Sequence, residues 1–395
     1  MEVEDELESP RPSLVMDLAS ADDPRALSEM LRQQRVHNIE GMFHLLTHRE
    51  DVEAALRKPA VFTSGPEAVQ LGNIRPLIPL SVDPPKHVKY RRILDPLFAP
   101  KHMALLDGEV AELVNQTMDN FAAKGTCDFH EEFAVPLPCT VFLRLMGLPL
   151  EDLDLFMAMK DGIIRPPGDT MEDQHPVRRA TADSIYEYFE KTLAERRRAP
   201  TEDLLARIMR SEVDGVTLTD EEILDICFLF IIAGLDTVTD TLDCIFGHLS
   251  QNPEHRHQVA SDESVIPSAI EELLRWESPV PAVPRVLGED VEIDGCPMKR
   301  GEQVMLLIGA ANTDTKAHPG VDSVDLLRNP NPHLAFGGGV HRCLGSHLAR
   351  VELRVAMREW HKRIPEYELV PGTQLVYTEG LRSLHHLPLQ FPPAT

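Results

Sequence analysis

No two of the six cysteines form a Cys-x-x-Cys pair; they are scattered at positions 127, 139, 227, 244, 296 and 343. Neither a zinc site nor a dithiol redox motif is therefore signalled. Basic residues are scarce, 39 Lys and Arg against 64 Asp and Glu, which argues against nucleic acid or an anionic membrane as the principal partner. The opening MEVEDELESP is acidic and lacks the basic-then-apolar order of a leader, so neither a signal peptide nor a membrane anchor is expected. The longest apolar run, Ile226 to Leu235, is bounded by Asp225 and Asp236. It is too short to span a bilayer and reads as a buried helix. A cytoplasmic location follows, in which the cysteines are free thiols. Internal repeats and low-complexity linkers are missing too.

What remains is a chain of 395 residues dominated by helical periodicity. Residues 1–12 read as a disordered acidic tail and 13–395 as a single domain. Amphipathic spacing marks Ala104–Lys124, Glu151–Lys160, His175–Arg198 and Glu202–Ser211. The clearest element is Thr219–Asn252, opened by a Thr219/Glu222 capping box and closed by Pro253. A helix of that length runs roughly 50 Å, enough to cross a domain. Further helices are expected at Pro267–Trp276 and Leu344–Arg363. Between them, alternating and β-branched runs around Asp294-Gly295 indicate a small sheet. The irregular segment Asn312–His333 precedes a Gly-rich stretch. The whole is mainly α with a minor β portion.

The Gly-rich stretch is FGGGVHRCLG, Phe336 to Gly345, directly before a helix. Its glycines permit backbone conformations closed to other residues, and Cys343 falls where free N–H groups and the helix dipole stabilise a thiolate. Taken alone, the stretch also fits a structural cysteine in a glycine turn, or a cysteine nucleophile near His341. A phosphate cradle lacks its lysine and Ser/Thr.

The segment resembles the cysteine signature of the cytochrome P-450 superfamily, F-x-x-G-x-x-x-C-x-G, at Phe336, Gly339, Cys343 and Gly345. Further signatures follow in order. Glu272 and Arg275 form an ExxR pair, with Arg328 at the position that joins it. His87 and Arg91 in DPPKHVKYRR, Arg285 in AVPRV and His341 match the contacts to haem propionates. AGLDT, Ala233 to Thr237, resembles the oxygen-activation motif. Val324 departs from the pattern, standing where Phe is frequent.

The resemblance implies a soluble bacterial-type haem-thiolate monooxygenase. The 219–252 helix would lie over haem b (iron protoporphyrin IX) and the 336–345 loop beneath it. Cys343 would be the axial iron ligand, its thiolate favouring O–O cleavage. Phe336 would shield the sulfur, and Gly345 would let the next helix approach the macrocycle. Asp236 and Thr237 would deliver protons during dioxygen activation. Asp225, Asp236, Asp240 and Asp243 share one helical stripe, which also fits an Asp236 that simply faces solvent; the stripe alone does not decide, and the motif match favours the functional role.

Ala233, Gly234, Val280, Val283 and Leu381 would line the pocket. Their apolar character indicates a lipid-like, terpenoid or steroid-like substrate. Arg165 and Arg382 fit either a substrate contact or an outward, snorkelling pose. With no flavin or nicotinamide domain, electrons must come from a separate ferredoxin-type donor with its reductase. Arg350, Arg354 and Arg358 at i, i+4 and i+8 form a stripe suited to docking it, or a plain solvated face. A peroxide-driven peroxygenase, a haem isomerase or a non-catalytic haem-binding protein are the alternatives.

Overall fold

A computed structural model describes residues 19–21, 23–39, 43–69, 75–168 and 170–394. The acidic stretch 1–12 lies outside them. The helices that position the site are α1 (Lys86–Leu94), α2 (Leu153–Ile164), α3 (Asp220–Gly234), α4 (Asp236–Gln251), α5 (Ile266–Glu277) and α6 (Ser346–Arg363). None of the described helices is long and apolar enough to cross a membrane.

The capping box forms as expected: Glu222 N–H donates to Thr219 Oγ1 at 3.2 Å and Thr219 N–H to Glu222 Oε2 at 2.8 Å. The span from 219 to 252 is nonetheless two helices, interrupted at Leu235. Threonine hydroxyls account for the break. Thr237 Oγ1 donates to Ala233 O at 3.0 Å, Thr239 Oγ1 to Leu235 O at 3.2 Å, and Thr241 Oγ1 to Thr237 O at 2.6 Å. Hydroxyls bonded to the carbonyl four residues back bend a helix, and Gly234 adds freedom at the same point.

The remaining helices fall close to their expected bounds. The amphipathic stretch 104–124 becomes a helix over Asp107–Asp119 with a short 3-10 turn at each end, and the one expected from His175 begins earlier, at Met171.

The β portion includes a five-stranded sheet of β1 (Val36–Ile39), β2 (Phe43–Leu46), β3 (Phe62–Thr63), β4 (Ala282–Leu287) and β5 (Gln303–Leu307), ordered β1-β2-β5-β4-β3, beside a three-stranded sheet of Thr126–Asp128, Glu368–Leu369 and Pro388–Gln390. Only the β2–β5 pair is parallel. Asp294-Gly295 turns a separate hairpin, both residues having positive φ (53° and 75°), as a type I′ turn requires.

The main core is helical. At its centre Phe129 stacks on Phe246 at 4.2 Å, and Trp360 of α6 meets both edge-on at 5.1 and 5.2 Å. Edge-to-face packing of this kind adds to the area term, and it clamps α6 against α4.

Candidate active site

The Gly-rich loop closes on itself: Cys343 N–H donates to Phe336 O at 2.9 Å. Gly337 and Gly339 have φ of 66° and 62°, a left-handed conformation that only glycine adopts cheaply. At Gly339 the demand is also steric, since a Cβ there would stand 2.0 Å from Leu56 O. Cys343, three residues before α6, is the exposed cysteine of the six; four are buried and Cys296 is intermediate. Its surface is accessible although protein mass crowds around it, and that crowding pushes the thiol up. The Gly345 N–H and the charges of Arg91, Arg342 and Arg350 act in the opposite sense. Phe336 is half-buried, with the Arg350 guanidinium 4.3 Å over its ring.

The loop before the cysteine is held by one carboxylate. Glu272, with no exposed surface, accepts from Arg275 Nε at 2.8 Å and Nη2 at 2.7 Å, from Arg328 Nε at 3.0 Å, from Asn331 Nδ2 at 2.9 Å and from the Asp325 N–H at 2.9 Å. Arg275 also donates to the carbonyls of Asn312, Val321 and Ser323. Val324, the departure from the pattern, packs against the main core. A residue smaller than Phe thus keeps the loop's apolar contact.

Four basic residues gather beside the cysteine loop. The His87 and His341 rings are 4.4 Å apart. His341 Nε2 lies 2.9 Å from Asp83 Oδ1, whereas the buried Nε2 of His87 has no hydrogen-bond partner. Burial, with His341 and Arg91 nearby, pulls His87 down to about 4. Arg285 is buried with one hydrogen bond, from Nη1 to Pro284 O; burial pulls its guanidinium down to about 10, and Asp83 only partly offsets this. Arg91 bonds Asp95 and the Arg342 carbonyl. A buried guanidinium whose charge Asp83 only partly offsets and an orphaned imidazole nitrogen are costly, and an anionic group would satisfy both.

Ala233 and Gly234 are exposed, although Ile231, Ile232, Leu235 and Asp236 around them are buried. A Cβ added at Gly234 or Gly345 would meet nothing within 4 Å. Thr237 is half-buried. Val280, Val283 and Leu381 are half-buried as well.

The family model described as Cytochrome P450 matches residues 149–360. The mycinamicin IV hydroxylase/epoxidase of Micromonospora griseorubida is 35% identical over 365 residues, 88% of each chain. The chain belongs to the cytochrome P450 family. The steroid C26-monooxygenase of Mycobacterium tuberculosis (strain CDC 1551 / Oshkosh) is 32% identical over 366 residues, 90% of this chain and 96% of that one. The crystal structure of CYP109E1 from Bacillus megaterium in complex with testosterone superposes with a TM-score of 0.85 at 28% identity, covering 93% of this chain and 97% of that one. Membership makes this P450 an oxidoreductase with a haem cofactor. The orphaned His87 nitrogen, the only partly compensated Arg285 and the open space at Gly234 and Gly345 all fit such a group.

Three sequence expectations need correcting. Asp236 does not face solvent: it has no exposed surface, and neither do Asp240 and Asp243, while Asp225 is only 5% exposed. Asp236 Oδ1 lies 3.0 Å from Lys160 Nζ and 2.9 Å from Arg165 Nη1, with Arg165 Nη2 2.9 Å from Oδ2. Burial pulls the Lys160 ammonium down, but Asp236 and Asp161 more than offset it. Arg165 and Arg382 do not snorkel. Arg382 is 2% exposed, bonded to Glu277 and to the carbonyls of Ala19 and Ala21.

The third correction concerns the arginine stripe of α6, which is not a free basic patch. Arg350 pairs with Glu271 at 2.6 Å, and Arg354 and Arg358 both reach Asp107, at 2.7 and 2.9 Å. Sequence reasoning missed Lys160 and Asp83, whose partners are 76 and 258 residues away.

Proposed function

We propose that this P450 is a monooxygenase that binds haem b through Cys343 and hydroxylates an apolar small molecule, drawing electrons from a ferredoxin-type donor and its reductase. The observation that carries the reading is the cluster of His87, His341 and Arg285, with its orphaned nitrogen, beside the exposed thiol of Cys343. His87, Arg91, Arg285 and His341 hold the propionates as charge-assisted donors. Glu272, Arg275 and Arg328 hold the loop that presents Cys343, and Phe336 and Gly345 bound the sulfur and the macrocycle.

Haem supplies dioxygen binding and cleavage, with one oxygen atom entering a substrate C–H bond and the other leaving as water. The chain supplies protons. Thr237 presents its hydroxyl at the helix break, and Asp236, poised between Lys160 and Arg165, passes protons to it. Ala233, Gly234, Val280, Val283 and Leu381 give the substrate an apolar wall. Support for a lipid-like, terpenoid or steroid-like molecule comes from those side chains and from the steroid named for one relative and the testosterone bound by one structural neighbour. Exposed Arg342, next to Cys343, is the basic residue offered to an acidic donor in place of the neutralised α6 stripe.

The test is the carbon monoxide spectrum of the reduced protein and of Cys343→His. A strongly red-shifted Soret band lost in the variant is expected. A band at the position of histidine-ligated haem in the wild type would refute the ligand assignment.

A further inference from the structure

Asp236 is the first of three buried carboxylates on one face of α4. Asp240 and Asp243 follow it at i+4 and i+7, and none of the three has exposed surface. Neighbours at such spacings sit about 5–6 Å apart between Cβ atoms, a gap that one water or a side-chain rotation closes. Three elements pack against this face. From α2 and the residue that caps its end come Lys160, Asp161 and Arg165; from the 382–386 stretch come Ser383, His385 and His386; from the segment after Thr126 come Asp128 and His130.

The charges on this face do not balance if every acid is ionised. Lys160 and Arg165 meet Asp236 directly, while Asp240 is left with Arg165 Nη2 at 3.7 Å and neither of its oxygens in a well-formed hydrogen bond; the Ser383 hydroxyl is at hand to donate. A buried carboxylate so poorly partnered keeps its proton instead. Burial and the neighbouring Asp236 push the Asp240 carboxyl well above the usual range. Asp243 Oδ2 lies 2.7 Å from His130 Nδ1. Burial pushes Asp243 up to about 6 against that bond, and His130 is raised by Asp243 in spite of its own burial. The short Asp243–His130 contact gives a proton a direct route between the two groups. The His130 side chain keeps 13% of its surface accessible, and Asp128, which caps its backbone N–H, binds the exposed His386 at 2.8 Å.

We propose that Asp240 and Asp243 extend Asp236 into a proton conduit that runs along α4 and opens to solvent at His130. The inference rests on the dioxygen-activating role given to Asp236 above. Inserting one oxygen atom of dioxygen and releasing the other as water consumes two electrons, from the ferredoxin-type donor, and two protons. As Asp236 passes a proton toward Thr237, Asp240 gives its own to the Asp236 carboxylate. Asp243 refills Asp240, the His130 imidazolium refills Asp243, and water reprotonates His130. Each hop moves one proton and no electron.

Two measurements on the haem-loaded protein test this. Infrared titration of the wild type is expected to show protonated-carboxyl C=O stretches persisting at neutral pH, with one component missing in Asp240→Asn and another, from buried Glu352, retained in both. With a surrogate ferredoxin, its reductase and dioxygen, the rate of dioxygen reduction is expected to fall about tenfold in both Asp240→Asn and His130→Gln, a modest share of a general-acid contribution. The deficit should deepen as pH rises. The carbon monoxide spectrum of each variant checks that the site is assembled, and His130→Gln, at the surface end, spares the core. Carboxyl bands unchanged in Asp240→Asn, or a lost component with wild-type rates and pH profile, overturn the conduit. If Asp236→Asn slows the reaction while Asp240→Asn and His130→Gln do not, the conduit fails alone. If Asp236→Asn is also without effect, the role given to Asp236 fails with it.

Discussion

Replacing Glu272 by Gln removes a charge from the most connected carboxylate among the described residues while keeping its shape. Five donors converge on it, three on Oε2 and two on Oε1. A glutamine offers one carbonyl oxygen, so in either orientation at least two buried donors meet an NH2 group instead. The Arg275 guanidinium, 2% exposed, loses its counter-ion. Breaking one side of a buried pair costs about 3–5 kcal/mol, a large part of the stability of an ordinary domain. With a urea slope of about 3 kcal/mol/M, the upper end for small proteins, the unfolding midpoint should drop by about 1 M or more, and haem should be lost earlier in the titration. The effect is pH-dependent. Burial pushes the Glu272 carboxyl up, but the donors from Arg275, Asp325 and Arg328 more than offset it and hold it below its ordinary 4.5. A carboxyl lowered by folding contributes stability in full above its unfolded value and loses it as pH falls through the folded one. The gap between wild type and variant should therefore be widest near neutrality and close in acid. Circular dichroism and Soret absorbance across urea, at several pH values, provide the check. An unchanged midpoint, or a gap that persists in acid, refutes the reasoning.

The loop glycines should separate cleanly. Gly339→Ala forces a Cβ into Leu56 O at a left-handed position, costing about 1–2 kcal/mol for the backbone alone, and should lower thermal stability with or without haem. Gly345→Ala meets no protein atom within 4 Å, so it should leave the cofactor-free protein's melting temperature unchanged and weaken haem retention. Charge reversal at Arg342 should slow reduction by an acidic donor and flatten its salt dependence. Reversal at Arg354, already tied to Asp107, should do much less; stopped-flow reduction of the two variants would show if the order is reversed.

What could be read from the sequence was local. The capping box, the Asp294-Gly295 turn and the cysteine loop are set by residues within a few positions of one another, and their signals carry their own geometry. Glu272 and Arg275 sit one helical turn apart, so that pair was legible too. The surroundings of Asp236 were not. A stripe of aspartates on a helix normally faces water, and nothing near 236 in sequence announces Lys160 or Arg165. Similarly, the basic stripe on α6 looked free because Asp107 lies 247 residues before Arg354. The break at Leu235 came from threonines whose hydroxyls compete with the helix ladder, a choice that depends on rotamers rather than on periodicity.

The cysteine loop is fastened to the beginning of the chain: Gly339 against Leu56, His341 to Asp83, and the Arg342 carbonyl to Arg91. The basic groups of α1 thus leave the ribosome long before the sulfur that completes the pocket. On the proposed site assignment, a nascent chain would carry half a cofactor site for most of its synthesis, with His87 and Arg91 in place before Cys343. On that assignment, haem capture would require closure of the whole chain, since residues from both ends of the sequence meet at the loop.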